Sequence, residues 1–494
     1  MLRSKLFRWL ASLALLLLLL GVGVWYLVFR TVAQQPFPDM AAEFNHGSIG
    51  NEDSQGLPYW IWRVLPRLFA DKLPGPTGYT SLGLFWEPGE ELPVGFSKKT
   101  VGIDRVSINC AFCHQSTWRR SAAEQSRLVV AGPGNRVSPQ AYLRFLAAAG
   151  SDPRFRADTI MKQIGMIYDM PLMQRLAYRF LFIPATRKAL KQQAEDFAWS
   201  QDNPDWGPGR IDPFNPIKYG ILRMGNDASI GNSDMMPLWQ LDQAEGENAA
   251  GQTKALHWDG LSTSLHEVVV TGAVGDGMTY QNYQRRAVKE RIARIEDYVR
   301  TLAPPASPFS SDLDPSDPFF VDPRQVARGK SLHAEHCGIC HAPDGARYRT
   351  PIPVEEIGVD AHRVAMWNDE AARRYNDYRE KGKDWGFKGF QNVEGYVAVS
   401  HSGLWLRGPY LHNGSVPTLR DMLRPPAERP RVFYRGYDVI DAANGGFAAN
   451  GPEAERLGQR YDTALPGNGN AGHLYGTDLS PEDKDALLAY LKTL

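Results

Sequence analysis

A five-residue pattern occurs twice in this chain of 494 residues and constrains the rest of it: Cys110-Ala111-Phe112-Cys113-His114 and Cys337-Gly338-Ile339-Cys340-His341. Thiols at i and i+3 with an imidazole at i+4 share one face of a helical turn, so both sulfurs can bond one haem's vinyl groups while the histidine reaches its iron. That is the attachment pattern of c-type haem. Two copies predict two covalently bound haem c groups, with His114 and His341 as proximal iron ligands. The motifs consume all four cysteines of the chain, leaving none for a disulfide, a zinc knuckle or a thiol nucleophile.

The start of the chain predicts a compartment. Trp9 to Phe29 is an uncharged, leucine-rich run of about twenty residues, the length that crosses a bilayer. Arg3, Lys5 and Arg8 precede it, which by the positive-inside rule gives a single-pass anchor in the inner membrane with the main body in the periplasm. A cleaved signal peptide is the competing reading. The length of the run, its ending in Trp25, Tyr26 and Phe29, and the lack of a small-x-small site argue against it. The 55 basic residues balance 55 acidic ones, so no bulk charge points to nucleic acid.

From Gln34 to about Gly102 the chain is rich in proline and glycine and reads as an irregular arm. Ser138 to Ala149 predicts a helix, with Ser138 as N-cap, Pro139 at its first position and Gly150 as stop. Ile160 to Trp199 has helical periodicity broken by Pro171 and Pro184. Within it, Met170 to Ile183 is apolar enough to be either a layer over the first haem or an exposed apolar surface. Gln284 to Leu302 reads as an amphipathic helix closing a first half. A Pro/Ser/Asp-rich linker follows, and then a short helix leads into the second motif. Ser480 to Leu494 closes the chain as a helix with a capping-box-like start.

The predicted fold is therefore mainly α, with two cytochrome c-like domains, long loop insertions and an N-terminal transmembrane helix. The divisions are 1–33 (cytoplasmic head and anchor), 34–305 (first haem domain), 306–323 (linker) and 324–494 (second haem domain). What each iron does depends on its sixth ligand. For the second haem two histidines stand out: His412, in Gly408-Pro409-Tyr410-Leu411-His412-Asn413-Gly414-Ser415-Val416, and His473, in the glycine-rich loop from Gly467. Such a loop can bring its backbone close to a haem face, which favours His473. For the first haem, Met235 and Met236 are candidate ligands.

The stretch from Pro409 to Leu419 resembles the Pro-Tyr-x-His-(Asp/Asn)-Gly-Ser-Val-x-Thr-Leu signature of the bacterial di-haem cytochrome c peroxidase and MauG superfamily. His257-Trp258-Asp259-Gly260 is similar to its Phe-Trp-Asp-Gly-Arg segment. Gly207 to Asn215 and Gly467 to Gly476 look most like the rubber oxygenase branch, in which one haem binds dioxygen and the other carries two histidine ligands. The resemblance implies that Trp258 bridges the haems and that Asp259 holds the local turn. It also implies that His473 is the distal ligand of the second haem and that His412 is a supporting residue beside that cofactor. The superfamily's peroxidases place a glutamine and a glutamate about ten and twenty residues beyond the tryptophan. Val268 and Met278 stand there, so Glu267 is the candidate replacement acid–base group.

The expected function is a haem-dependent oxidoreductase using dioxygen or peroxide. Its partner would be an electron donor or acceptor protein or a small redox molecule. The alternatives are a non-catalytic electron carrier with both irons six-coordinate, and a di-haem peroxidase.

Overall fold

The computed structural model describes residues 2–494, except for the side chains of residues 2–6, 20, 24 and 27–29. Helix accounts for 41% and strand for 12%. The expected mainly α fold with a transmembrane helix therefore gives way to a mixed one. Leu2–Phe29 is helical, but among the described residues no helix is long and apolar enough to cross a membrane. The predicted span, Trp9 to Phe29, includes Leu20, Val24, Leu27, Val28 and Phe29, which lie outside the described side chains. The anchor is not supported, and the inner-membrane, periplasm-facing placement falls with it.

The arm after the first helix is more ordered than its composition suggests. Strands β1 (Phe96–Val101) and β2 (Ile103–Ile108) pair antiparallel. The turn between them is Gly102, whose φ of 72° suits a residue without a side chain. Thr31–Val32 and Leu57–Pro58 flank the hairpin to complete a four-stranded sheet. Because both outer pairings are distant in sequence, no local periodicity announces them. Behind the sheet lies an aromatic core: Trp62 stacks on Tyr79 at 4.5 Å and donates from Nε1 to the Tyr142 hydroxyl at 3.1 Å. Phe112, inside the first motif, meets Phe96 edge-on at 5.5 Å. The sheet thereby fixes the segment that carries Cys110 and Cys113.

The predicted helix after the first motif spans Pro139–Ser151 (α1), with proline in its first turn. Ile183–Asp196 (α2) packs across it where Gly150 meets Leu190. Pro184 stands at the second position of α2, directly after the π-helical turn Tyr178–Phe182, so the helical path from Leu172 runs through it and is not broken there. Leu172, Met173, Phe180 and Leu181 face solvent. Helix α3 (Leu265–Gly275) and helix α4 (Arg286–Thr301) then form the wall that faces the first motif. Helix α4 buries Val288, Ile292, Ile295 and Val299 along one stripe.

The segment expected to be a linker is not a solvated tether. Phe309, Phe319 and Val321 are buried with Trp405 and Leu406, and Trp118 stands edge-on to Trp405 at 4.9 Å. Helix α5 (Pro323–His336) leads into the second motif and packs on the terminal helix α6 (Pro481–Thr493). At the crossing is Gly329, where a Cβ would lie 2.0 Å from the Ala486 carbonyl. The start of α6 is as predicted: Ser480 Oγ accepts from the Asp483 N–H at 3.1 Å, with Pro481 next in line.

Candidate functional site

Two cavities lie on either side of Trp258, and each contains one of the repeated motifs. The first, about 670 Å³, is lined by Cys110, Cys113, His114, His257 and the cavity face of α3. The second, about 260 Å³, is lined by Cys337, Cys340, His341, His401, His412 and His473. Asp234, Met235, Met236 and Trp258 border both.

The first motif folds as a single tight turn, Cys110–Phe112, capped by Asn109, whose Oδ1 accepts from the Ala111 N–H at 3.0 Å. Its histidine is oriented from outside the motif. His114 Nδ1 donates to the Met236 carbonyl at 2.8 Å, which leaves Nε2 as the free lone pair. Burial disfavours the imidazolium and pushes the pKa of His114 down. Burial likewise pushes the Cys110 thiol up to about 12.

The second motif repeats this logic. His341 Nδ1 donates to the Val399 carbonyl at 2.7 Å, and burial lowers its pKa to about 3. Across the cavity, His473 has a left-handed backbone, φ 49°, and its N–H donates to the Ile357 carbonyl at 2.8 Å. The neighbouring Gly472 runs so close to Gly358 that a Cβ would sit 2.3 Å from its carbonyl carbon. Arg429 ties the loop down through the Asn470, Gly472 and His473 carbonyls at 2.6, 2.9 and 3.2 Å. The His341 and His473 ring centres are 6.3 Å apart. At that separation the two imidazoles could hold one haem iron between them.

His412 is not opposed to His341. Its ring stacks on Tyr396 at 4.0 Å, and its Nε2 meets the Tyr396 hydroxyl at 3.0 Å. That hydroxyl donates to the Asp360 carbonyl, so it accepts from His412. Trp258 lies 5.8 Å from the His412 ring and 6.0 Å from Tyr396. Asp259 accepts from Leu261 N–H and pairs with Arg363 at 2.9 Å, which fixes the turn as expected.

The structure disagrees with one sequence-based choice. Glu267 does not line the first cavity: its two oxygens accept from the Lys388 and Gly389 N–H groups at 2.9 and 2.8 Å, anchoring a loop on the far side of α3. A carboxylate committed to two backbone donors outside the cavity cannot serve a ligand inside it. Val268 does face the cavity. On the same helical row, four and eight residues on, come Gly272 and Asp276. That row was the signal in the sequence for Asp276, which counting ten and twenty residues from Trp258 passes over.

Two further residues carry no sequence signal. His401 stacks on His341 at 3.8 Å and its Nδ1 meets His333 Nε2 at 3.0 Å. Arg407 is half-buried at the second cavity, where it donates to the Ser402 carbonyl at 2.7 Å. Its Nε has no hydrogen-bond partner and no carboxylate lies within ion-pair distance among the described residues. Burial lowers its pKa to about 10.

These features fit haem c. Each cavity presents two thiols and a neutral imidazole with Nδ1 already committed. On α3, Gly272 and Gly275 face the first cavity with nothing within 4 Å of where a Cβ would be, so a flat group can lie against the helix backbone. At the second, the half-buried Arg407 has a buried Nε without a hydrogen-bond partner, which a carboxylate-bearing group would fit.

Residues 395–434, which hold Tyr396, His401, Arg407, His412 and Arg429, match the family model described as RoxA-like, cytochrome c-like. The cofactor is accordingly haem c. Among curated proteins, the chain is 31% identical to the uncharacterized protein y4iJ of Sinorhizobium fredii, over 86% of this chain and 83% of that protein. It is 33% identical to y4iM of the same organism over 36% of this chain and half of y4iM.

Proposed function

From the premise that the chain belongs to the family of y4iJ and is a haem c protein of the rubber oxygenase-like kind, we propose that it is a di-haem oxidoreductase. The His114 cavity is the reaction site and the His341–His473 cavity the electron-exchange site. The observation that carries this reading is an asymmetry. His473 stands opposite His341 at ligand spacing, whereas among the described residues no second imidazole is ring-paired with His114, and the first cavity is the larger. Held there by Cys110, Cys113 and His114, haem c would supply a redox-active iron for chemistry on a small oxygen-containing molecule such as dioxygen or peroxide.

The protein's own part is positional. The Met236 carbonyl holds His114 in the tautomer that presents Nε2, and Val268 and Val269 on α3 keep the opposite wall largely apolar. Trp258 borders both cavities, an aromatic ring shared by their walls. Ile339, Leu474 and Tyr475 form an exposed apolar rim beside Cys340, suited to a redox protein or small redox molecule.

The purified protein should contain two haems per chain, and replacing Cys110 and Cys113 by alanine should leave one. Optical and electron paramagnetic resonance spectra should show one low-spin and one high-spin iron, the latter responding to carbon monoxide or peroxide. Two low-spin irons indifferent to every ligand would sink the reading in favour of an electron carrier. Trp258→Phe should slow electron exchange between the sites by roughly tenfold, about 1.4 kcal/mol in the barrier, with both spectra unchanged. An unaltered rate would return Trp258 to a packing role.

A further inference from the structure

We propose that Asp276 is the proton-holding group of the first haem cavity, taking a proton at its carboxylate from a small protic ligand such as a hydroperoxide. This rests on the preceding reading that the His114 site is open. Asp276 continues the row Val268, Gly272, Asp276 on α3 and lines the cavity together with His257 and Gln55. Its side chain has no hydrogen-bond partner among the described residues, in contrast to Asp212, Asp234 and Asp259, which border the same cavity and are held by Asn215, Arg435 and Arg363.

The backbone at this point is locked. The Asp276 N–H donates to the Gly272 carbonyl at 3.0 Å, and its carbonyl accepts from Asn51 Nδ2 at 2.8 Å. Gly277 (φ 95°) runs against Gln55, where a Cβ would lie 2.1 Å from Cγ. The carboxyl is therefore delivered by a rigid corner, at the one place on this wall where a polar group follows two glycines facing open space.

Burial alone raises its pKa to about 7, since no cation lies close enough to oppose it. The ionisable side chains within electrostatic reach are Cys110 and Cys113, which become uncharged thioethers once haem is attached. A carboxyl group poised near neutrality can act in both directions. As carboxylate it accepts the proton of H–O–O–R or H–CN: the O–H or C–H bond breaks, the electron pair stays with the ligand, and the proton resides on Asp276. As carboxylic acid it returns that proton.

Hydrogen cyanide is the probe, because it loses a proton on binding ferric haem. With the ferric holoprotein, the rate of cyanide association at the first haem should rise with pH through a single inflection near 7. Asp276→Asn should slow it by roughly 100-fold and abolish that inflection. Asp276→Glu should restore most of it, with haem content and the spectrum of the second haem unchanged. An Asn variant that binds cyanide at the wild-type rate, or a wild-type profile flat between about pH 5 and 9, overturns the assignment. The wild-type profile decides the matter even if the Asn variant fails to load haem. If the wild-type first haem takes up no cyanide at any pH, the open-site reading fails and this inference fails with it. Cyanide uptake without the inflection removes only Asp276.

Discussion

Replacing His473 by alanine is expected to turn the second haem from low-spin to high-spin and to make it bind carbon monoxide, leaving the spectrum of the first haem unchanged. Three independent features commit His473 to this position. Its ring centre is 6.3 Å from that of His341, and its backbone is left-handed, a conformation uncommon for a non-glycine residue. Arg429 spends three hydrogen bonds on the carbonyls around it. Removing the imidazole leaves the loop in place, so the change should be confined to the iron. A spectrum that stayed low-spin would transfer the ligand to Met422, which lines the same cavity, or to His412.

The largest effect on stability is expected at Asp438. This carboxylate, 2% exposed, gathers Thr117 Oγ1 and Arg119 Nε at 2.9 Å and Ser126 Oγ at 2.5 Å, with Arg136 at 3.5 Å. All four donors lie in the segment that follows the first motif, whereas Asp438 lies about a hundred residues beyond the second. It therefore joins the two halves. Asp438→Ala strands buried donors and two guanidinium groups and should cost about 3 kcal/mol, since breaking a buried, hydrogen-bonded ion pair usually costs that much or more. A lowered thermal midpoint of the holoprotein, with both haems retained, is the readout.

The pH dependence follows from the same contacts. Burial alone would raise the pKa of Asp438, but the Arg136 charge, the Ser126 and Thr117 hydroxyls and Arg119 together bring it below the usual carboxylate range. A depressed pKa contributes stability that is fully present above the unfolded-state value of about 4 and disappears as pH falls through the folded value. The stability gap between wild type and Asp438→Asn should accordingly be constant near neutrality and shrink below about pH 4. A gap that widened in acid would mean that Asp438 is not ionised in the folded protein.

Much of the site was legible because its chemistry is local. Two thiols and an imidazole within five residues line one cavity at each motif, and the signature around His412 lies inside the segment that matches a RoxA-like, cytochrome c-like model. The caps of α6 were legible for the same reason, since Ser480, Pro481 and Asp483 interact only with one another. What misled was composition read without partners. The proline- and glycine-rich arm became a sheet once residues 31–32 and 57–58 paired with its hairpin. The linker became part of a core because Phe309 and Phe319 found Trp405 and Leu406. The apolar N-terminal run became a helix, but not one that the described residues show to span a bilayer.

The grouping of two thiols with an imidazole at each motif was decided within the chain's own short repeats, because it involves only i, i+3 and i+4 neighbours. The difference between the two sites was decided by folding. Met236 reaches His114 from 122 residues away, Val399 reaches His341 from 58, and the Arg429-held loop sets His473 across from His341. Helix α3 turns Glu267 outward to a loop and Asp276 inward to the cavity. Those two carboxylates are nine residues apart and chemically alike; the 100° advance per residue of a helix against a fixed wall is what separates an anchor from a proton-bearing group.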